Sequence, residues 1–238
     1  TFNGDSANDT FGISVSAAGD VNNDGVVDVI VGALGDDNNG AESGSARVFS
    51  GANGAILYTF NGDSMNDYFG SSVSAAGDVN ADGFDDVIVG AYQDDNNGTD
   101  SGSARVLSGA NGAILYTFNG DSASDCFGYS VSAAGDVNND GFADVIVGAF
   151  GDDNNGTDSG SARVLSGANG AILYTFNGDS AGDVFGRSVS DAGDVNADGY
   201  ADVIVGAYYD DNNGADSGSA RVLSGANGAI LYTFNGDS

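Results

Sequence analysis

"DVNNDGVVDVIVGA", residues Asp20 to Ala33, sets a crowd of carboxylates directly against a run of apolar residues. The second half, "DVIVGA" (Asp28 to Ala33), is short, β-branched and almost wholly apolar, the pattern of a strand buried on both faces. The stretch returns from Asp78, Asp136 and Asp194 as "DVNADGFDDVIVGA", "DVNNDGFADVIVGA" and "DVNADGYADVIVGA", each 58 residues after the last. A fixed period of that length is the mark of an architecture made by stacking one supersecondary unit.

Working outward, "TFNGDS" begins at residues 1, 59, 117, 175 and 233. The chain therefore divides into repeats 1–58, 59–116, 117–174 and 175–232, with 233–238 copying the start, and no linker interrupts what reads as a single domain over 1–238. Within a repeat the period is that of strands, with no helical stripe. "SVSAA" (Ser14 to Ala18) alternates and leads into the acidic loop; "DVIVGA" follows; "SARVFS" (Ser45 to Ser50) and "AILYTF" (Ala55 to Phe60) flank "GANG". Asn53-Gly54 there predicts a two-residue hairpin turn with positive φ at both positions. Each repeat thus reads as four antiparallel strands. A lone sheet has two faces to bury and two edges to protect, and stacking such sheets radially solves both problems. The expected fold is all-β, a β-propeller of four-stranded antiparallel blades, four per chain. A parallel β-helix has much shorter coils. Four blades leave two assemblies open, a closed four-blade ring or half of an eight-blade dimer.

The chain has 238 residues, 41% hydrophobic and 10% aromatic, enough for a sizeable core despite 40 glycines. Proline is absent, so turns fall to Gly, Asn and Asp. The net charge is −30, from 35 acids against five arginines, with no lysine or histidine. That balance argues against nucleic acid and anionic membrane surfaces, which select basic patches. Metal cations are the obvious counter-charge. Without histidine, and with one cysteine, zinc and copper lack their usual ligands, and an oxygen-only donor set points to calcium. Cys126 shares its column with Thr10, Tyr68 and Val184 and reads as a small tolerated side chain. No signal peptide or apolar membrane-spanning run is present, and the chain opens in mid-pattern, as a mature segment or an excised piece would.

Numbered from Asp20, the acidic loop places ligand types at positions 1, 3, 5 and 9: Asp20, Asn22, Asp24 and Asp28, with glycine at the bend and a backbone carbonyl available at position 7, Val26. The other loops offer Asp78, Asn80, Asp82, Phe84 and Asp86; then Asp136, Asn138, Asp140, Phe142 and Asp144; then Asp194, Asn196, Asp198, Tyr200 and Asp202. One such loop is equally well a solvated acidic turn. Four in register point to about one calcium ion per repeat. The helical calcium loop that carries a bidentate Glu at position 12 does not fit, because position 12 is Val31, inside a strand. Arg47, Arg105, Arg163 and Arg221 recur in "SARV" and are expected to pair with aspartates near blade edges as a satisfied surface row.

"FGISVSAAGDVNNDGVVDVIVGA" resembles the FG-GAP repeat, the blade of integrin α-subunit propellers and of many bacterial surface proteins. The matching pieces are "FG" (Phe11-Gly12, Phe69-Gly70, Phe127-Gly128, Phe185-Gly186), the acidic loop, and "VGA" from Val31, Val89, Val147 and Val205. Two departures stand out: the proline that usually follows "GA" is replaced by Leu34, Tyr92, Phe150 or Tyr208, and the blade count is four where integrin propellers have seven. The resemblance implies a calcium-binding loop between the first two strands of each blade. It also implies a ligand face at the opposite end, where this chain carries "DDNNG" and "NGDS", both more simply read as soluble turns.

The function expected is a non-enzymatic, calcium-stabilised structural or assembly scaffold, extracellular or at the cell surface, that self-associates as a homo-oligomer. The alternative is an adhesion module or calcium-dependent lectin that takes a protein or glycan ligand on its loop face. No catalytic residue is expected: histidine is absent and every carboxylate group recurs in all four repeats.

Overall fold

The computed structural model describes residues 1–237; Ser238, the last residue of the repeated "TFNGDS", lies outside them. Sixteen strands form four antiparallel sheets, each in simple sequence order. The first holds β1 (Ser14–Gly19), β2 (Asp28–Ala33), β3 (Ser45–Phe49) and β4 (Ile56–Asn61). The second holds β5 (Ser72–Gly77), β6 (Asp86–Ala91), β7 (Ser103–Leu107) and β8 (Ile114–Asn119). The third holds β9 (Phe127–Gly135), β10 (Asp144–Ala149), β11 (Ser161–Leu165) and β12 (Ile172–Asn177). The fourth holds β13 (Phe185–Gly193), β14 (Asp202–Ala207), β15 (Ser219–Leu223) and β16 (Ile230–Asn235). The first strands, β1, β5, β9 and β13, pack successively against one another on the inside of the stack. These are four propeller blades.

The core lies between blades rather than within them. Successive residues of a strand point to opposite faces, so Val87, Val89 and Ala91 of β6 join Ile30, Ala46 and Val48 of the preceding blade, while Ile88 joins Phe127 and Val131 of the following one. Four blades thus enclose three apolar clusters. Every joint needs close backbone approach: a Cβ on Gly32 would lie 1.9 Å from the carbonyl oxygen of Gly70, so "VGA" and "FG" interlock as glycine against glycine.

The β3–β4 hairpin departs from the two-residue turn expected at Asn53-Gly54. Only Gly54 of the pair has positive φ, +76°. The Ser50 N–H donates to Ala55 O and the Gly54 N–H to Ser50 O, both at 2.8 Å, and the register shifts between Val48 and Phe49. The connection is a longer loop closed by a bulge, with Asn53 Oδ1 accepting from the Ala55 N–H. The longer loop lets Gly51 reach back to the acidic loop.

Candidate metal centre

Each acidic loop joins the first two strands of its blade and folds around its own side chains. In the first, the Asp24 N–H donates to both Asp20 Oδ1 and Asn22 Oδ1, at 3.0 Å each, which brings positions 1 and 3 together. The Gly25 N–H donates to Asp20 Oδ2 at 2.7 Å, and the Val26 N–H to Asp24 Oδ1 at 2.9 Å. Position 9 is different. Asp28 is fully buried and spans two segments, accepting from the Val21 N–H at 3.0 Å and from the Gly51 N–H of the hairpin at 2.9 Å. Asp28 is therefore the floor of the loop, and Asp20, Asn22 and Asp24 are its rim. The side chain of Val26 is exposed on that rim.

The remaining loops repeat the arrangement. Asp82, Asp140 and Asp198 donate their N–H groups to Asp78 with Asn80, to Asp136 with Asn138, and to Asp194 with Asn196. Asp86, Asp144 and Asp202 are buried floors like Asp28. Phe84, Phe142 and Tyr200 stand half-buried at position 7. Burial pushes the carboxyls of Asp86 and Asp144 up to about 6, against the pull of their backbone donors. The donor set is wholly oxygen, from carboxylates and amides, with carboxylates in excess of nearby cations. That chemistry fits calcium.

The other end of each blade holds a second acidic group. Carboxylate oxygens of Asp5, Asp9 and Asp36 lie within 4.8 Å of one another, as do those of Asp63, Asp67 and Asp94. Asp36 belongs to the first "DDNNG", which the sequence presents as a soluble turn, yet it is buried: its Oδ1 accepts from the Asn38 N–H and its Oδ2 from Ser45 Oγ at 2.7 Å. Asp94, Asp152 and Asp210 are buried likewise.

The arginines are not the surface row expected of them. Arg47, Arg105, Arg163 and Arg221 are buried, each lying 5.3–5.7 Å over the ring of its blade's "FG" phenylalanine. Arg47 pairs with Asp5 at 2.5 Å and Asp36 at 3.4 Å, and Arg105 with Asp63 at 2.5 Å. Arg163 and Arg221 pair in the same way with Asp121 and Asp179 of the connectors entering their blades. One guanidinium thus serves two carboxylates, and it supplies part of the counter-charge that an ion would bring. In Asn61-Gly62-Asp63 the aspartate is committed to Arg105, and a Cβ on Gly62 would lie 2.0 Å from Ser43 O, so this tripeptide is a structural turn.

Sequence reasoning missed the third member of that group. Asp9, Asp67, Asp125 and Asp183, two residues before each "FG", are all buried. Burial and then the neighbouring Asp63 carboxyl push Asp67 up to about 7, whereas the Arg47 guanidinium holds Asp5 below the usual range. The available signal was an aspartate recurring beside the phenylalanine in all four repeats.

The comparisons with known proteins agree with this architecture. A model described as FG-GAP repeat matches residues 69–107, 127–165 and 185–223, and a second model of that description matches residues 3–49. Integrin alpha-5 of Xenopus laevis is 31% identical over 226 residues, covering 83% of this chain and 20% of that protein. Integrin alpha-V of Gallus gallus is 32% identical over 205 residues, covering 81% of this chain and 19% of that protein. The chain thus spans about a fifth of the length of these relatives. Among solved structures, "Structure of Dos1 propeller" aligns with a TM-score of 0.51 at 15% identity over 87% of this chain and 44% of that one, a likeness of fold alone.

Proposed function

The chain belongs to the FG-GAP repeat family, and on that premise we propose that it is a non-enzymatic scaffold whose blades are stiffened by calcium outside the cell. The observation that carries this is the convergence of Asp20 and Asn22 oxygens on one donor, the Asp24 N–H, above a buried carboxylate, repeated in four loops. The residues that would hold the ion are Asp20, Asn22, Asp24 and Asp28 with the Val26 carbonyl, and their counterparts in the other blades. The ion would neutralise carboxylates that otherwise repel one another across the loop.

Extracellular calcium modules bind with Kd of roughly 10⁻⁴ to 10⁻³ M. At about millimolar calcium and the tighter limit, ligand linkage gives roughly 1.4 kcal/mol per site, and four sites roughly 6 kcal/mol. That is comparable with the whole stability of many domains. It is available only where calcium is plentiful, which favours an extracellular or cell-surface setting. Calorimetric titration is expected to find about four ions per chain, and chelation to lower the melting temperature by ~10–20 °C. An unchanged melt in chelator would sink the proposal.

Similarity to integrin α chains favours a second reading, an adhesion module or calcium-dependent lectin. Its ligand face would be the end carrying "DDNNG" and "NGDS". Glycan-array or protein binding that disappears on chelation would select it over the scaffold.

A further inference from the structure

The three internal joints obey one rule. The phenylalanine N–H of the following blade's "FG" donates to a serine carbonyl of the blade before: Phe69 to Ser43, Phe127 to Ser101 and Phe185 to Ser159, each at 3.1 Å. The next glycine covers a glycine of the preceding blade so closely that a Cβ there would lie 1.8–1.9 Å from its carbonyl oxygen, at Gly32, Gly90 and Gly148. At the rim, the hydroxyls of Tyr58, Tyr116 and Tyr174 donate to Gly109 O, Gly167 O and Gly225 O, at 2.6, 2.8 and 2.7 Å.

Among the described residues, nothing fills the same acceptor on the outer face of the fourth blade. A Cβ on Gly206 would meet only Ser188 of its own sheet, at 3.6 Å. Ser217 and Ser219 line an open groove with Arg187 and Gly206, although their counterparts Ser43 and Ser45 are fully buried. Tyr232 and Phe234 are 51% and 56% exposed. The outer face of the first blade presents the complementary half: Val15 is 66% exposed, where Val73, Val131 and Val189 in the joints are 5%, 6% and 9%. The exposure of Val15 and Phe234 also shows that the chain's own first blade does not close onto its fourth.

Phe2 adds an independent observation. Its ring edge lies 3.5 Å from the Cβ position of Gly54, and in the joints Phe60, Phe118 and Phe176 stand at the same 3.5 Å from Gly112, Gly170 and Gly228. Phe2 therefore occupies, on the first blade, the seat that a preceding blade's β4-type strand fills elsewhere. "TFNGDS" at residues 1–6 repeats the segment that begins at residue 233, so the seat accepts the sequence that ends β16.

We propose that the outer face of the fourth blade receives the first blade of a second copy of this chain, head to tail. Phe11-Gly12 of the copy would cover Gly206 and donate to Ser217 O, Tyr232 would donate to the copy's Gly51 O, and Phe234 would take the seat beside the copy's Gly54 in place of the copy's Phe2. The joint is heterologous, so two copies close a ring when the rotation permits, and otherwise a ladder grows. It deepens the scaffold reading but rests on the joints and not on calcium. Because each copy carries a charge of −30, association strengthens where cations screen it.

The test is light scattering of the 238-residue chain in millimolar calcium. Twice the chain mass of 23.5 kDa, or a ladder of its multiples, is expected. Gly206→Val fills the acceptor, its Cβ meeting its own blade only at ordinary contact distance, 3.6 Å from Ser188, and Val15→Asp puts a charge on the donor face. Each variant alone is expected at the single-chain mass, with the melt of the parent diluted until it too is single, and an equimolar mixture is expected to assemble again through the one joint that remains intact. A parent chain at 23.5 kDa, a variant that still assembles, or a mixture that stays single would overturn the proposal. Counting calcium on Gly206→Val, which keeps all four loops, separates failure of the joint from failure of the calcium reading.

Discussion

At one end of the first blade Asp20 and Asn22 are half-buried, Asp24 is exposed, and all three accept hydrogen bonds from their own loop; at the other, Asp9 and Asp36 are buried and Asp36 pairs with Arg47. The residue type is the same, and the counter-charge differs. The outer loop satisfies its oxygens with backbone N–H groups, and among the described residues no side-chain cation pairs with it, so the proposed calcium would be its counter-charge. The inner group carries its cation covalently, on a side chain that also packs over Phe11. On the proposed reading, one end is conditional on the medium. The other is fixed when the chain folds.

The sharpest way to break this contrast is to remove the built-in cation. Arg105→Leu leaves Asp67 and Asp94 buried without it and is expected to cost about 3–5 kcal/mol, seen as a large fall in melting temperature with calcium or without. Next in size is the effect of pH on the metal-free chain. Asp67, at about 7, and Asp86 and Asp144, at about 6, all lie above the unfolded value of about 3.9. The folded chain then binds more protons than the unfolded one between these limits. Its stability is therefore greatest at the acid side of that window and falls as pH rises through 6 and 7. Calcium, which needs ionised carboxylates, should add more stability the higher the pH; melts in chelator and in calcium from pH 5 to 8 check both slopes.

A smaller effect tests the outer loop alone. Asp82→Asn keeps an oxygen to accept from the Phe84 N–H, so it should be nearly neutral in chelator and lose roughly 1.4 kcal/mol, one site's linkage, in millimolar calcium. Smallest is Ala81→Asn. Ala81 and Ala197 hold φ of +56° and +58°, where the other two loops have Asn23 and Asn139. Asparagine tolerates that conformation better than alanine, so a gain of ~0.5 kcal/mol is expected in melts of the metal-free chain.

The contrast also marks what the sequence made legible. Strand positions followed from period and apolarity, and β2 matches "DVIVGA" residue for residue, because a strand's pattern is local. The rim of the outer loop is local in the same way, its donors lying within five residues, whereas its floor, Asp28, also reaches Gly51, 23 residues on. The inner group was not legible, since Arg105 meets Asp63 across 42 residues and two intervening strands, β5 and β6, and "MNDYFG" around Asp67 looks like any polar turn. The hairpin was misjudged because Asn-Gly specifies a bend without fixing how many residues share it.

Arg187 departs from the repeat, in a column otherwise filled by Ile13, Ser71 and Tyr129. Its guanidinium lies 4.8 Å from the ring of Tyr129, 5.2 Å from that of Phe150 and 5.6 Å from that of Tyr208. Near-identical blades are interchangeable to one another, and a folding chain of them risks docking out of turn. Those three contacts exist together only when the fourth blade follows the third, so a single irregular side chain gives the stack a serial number.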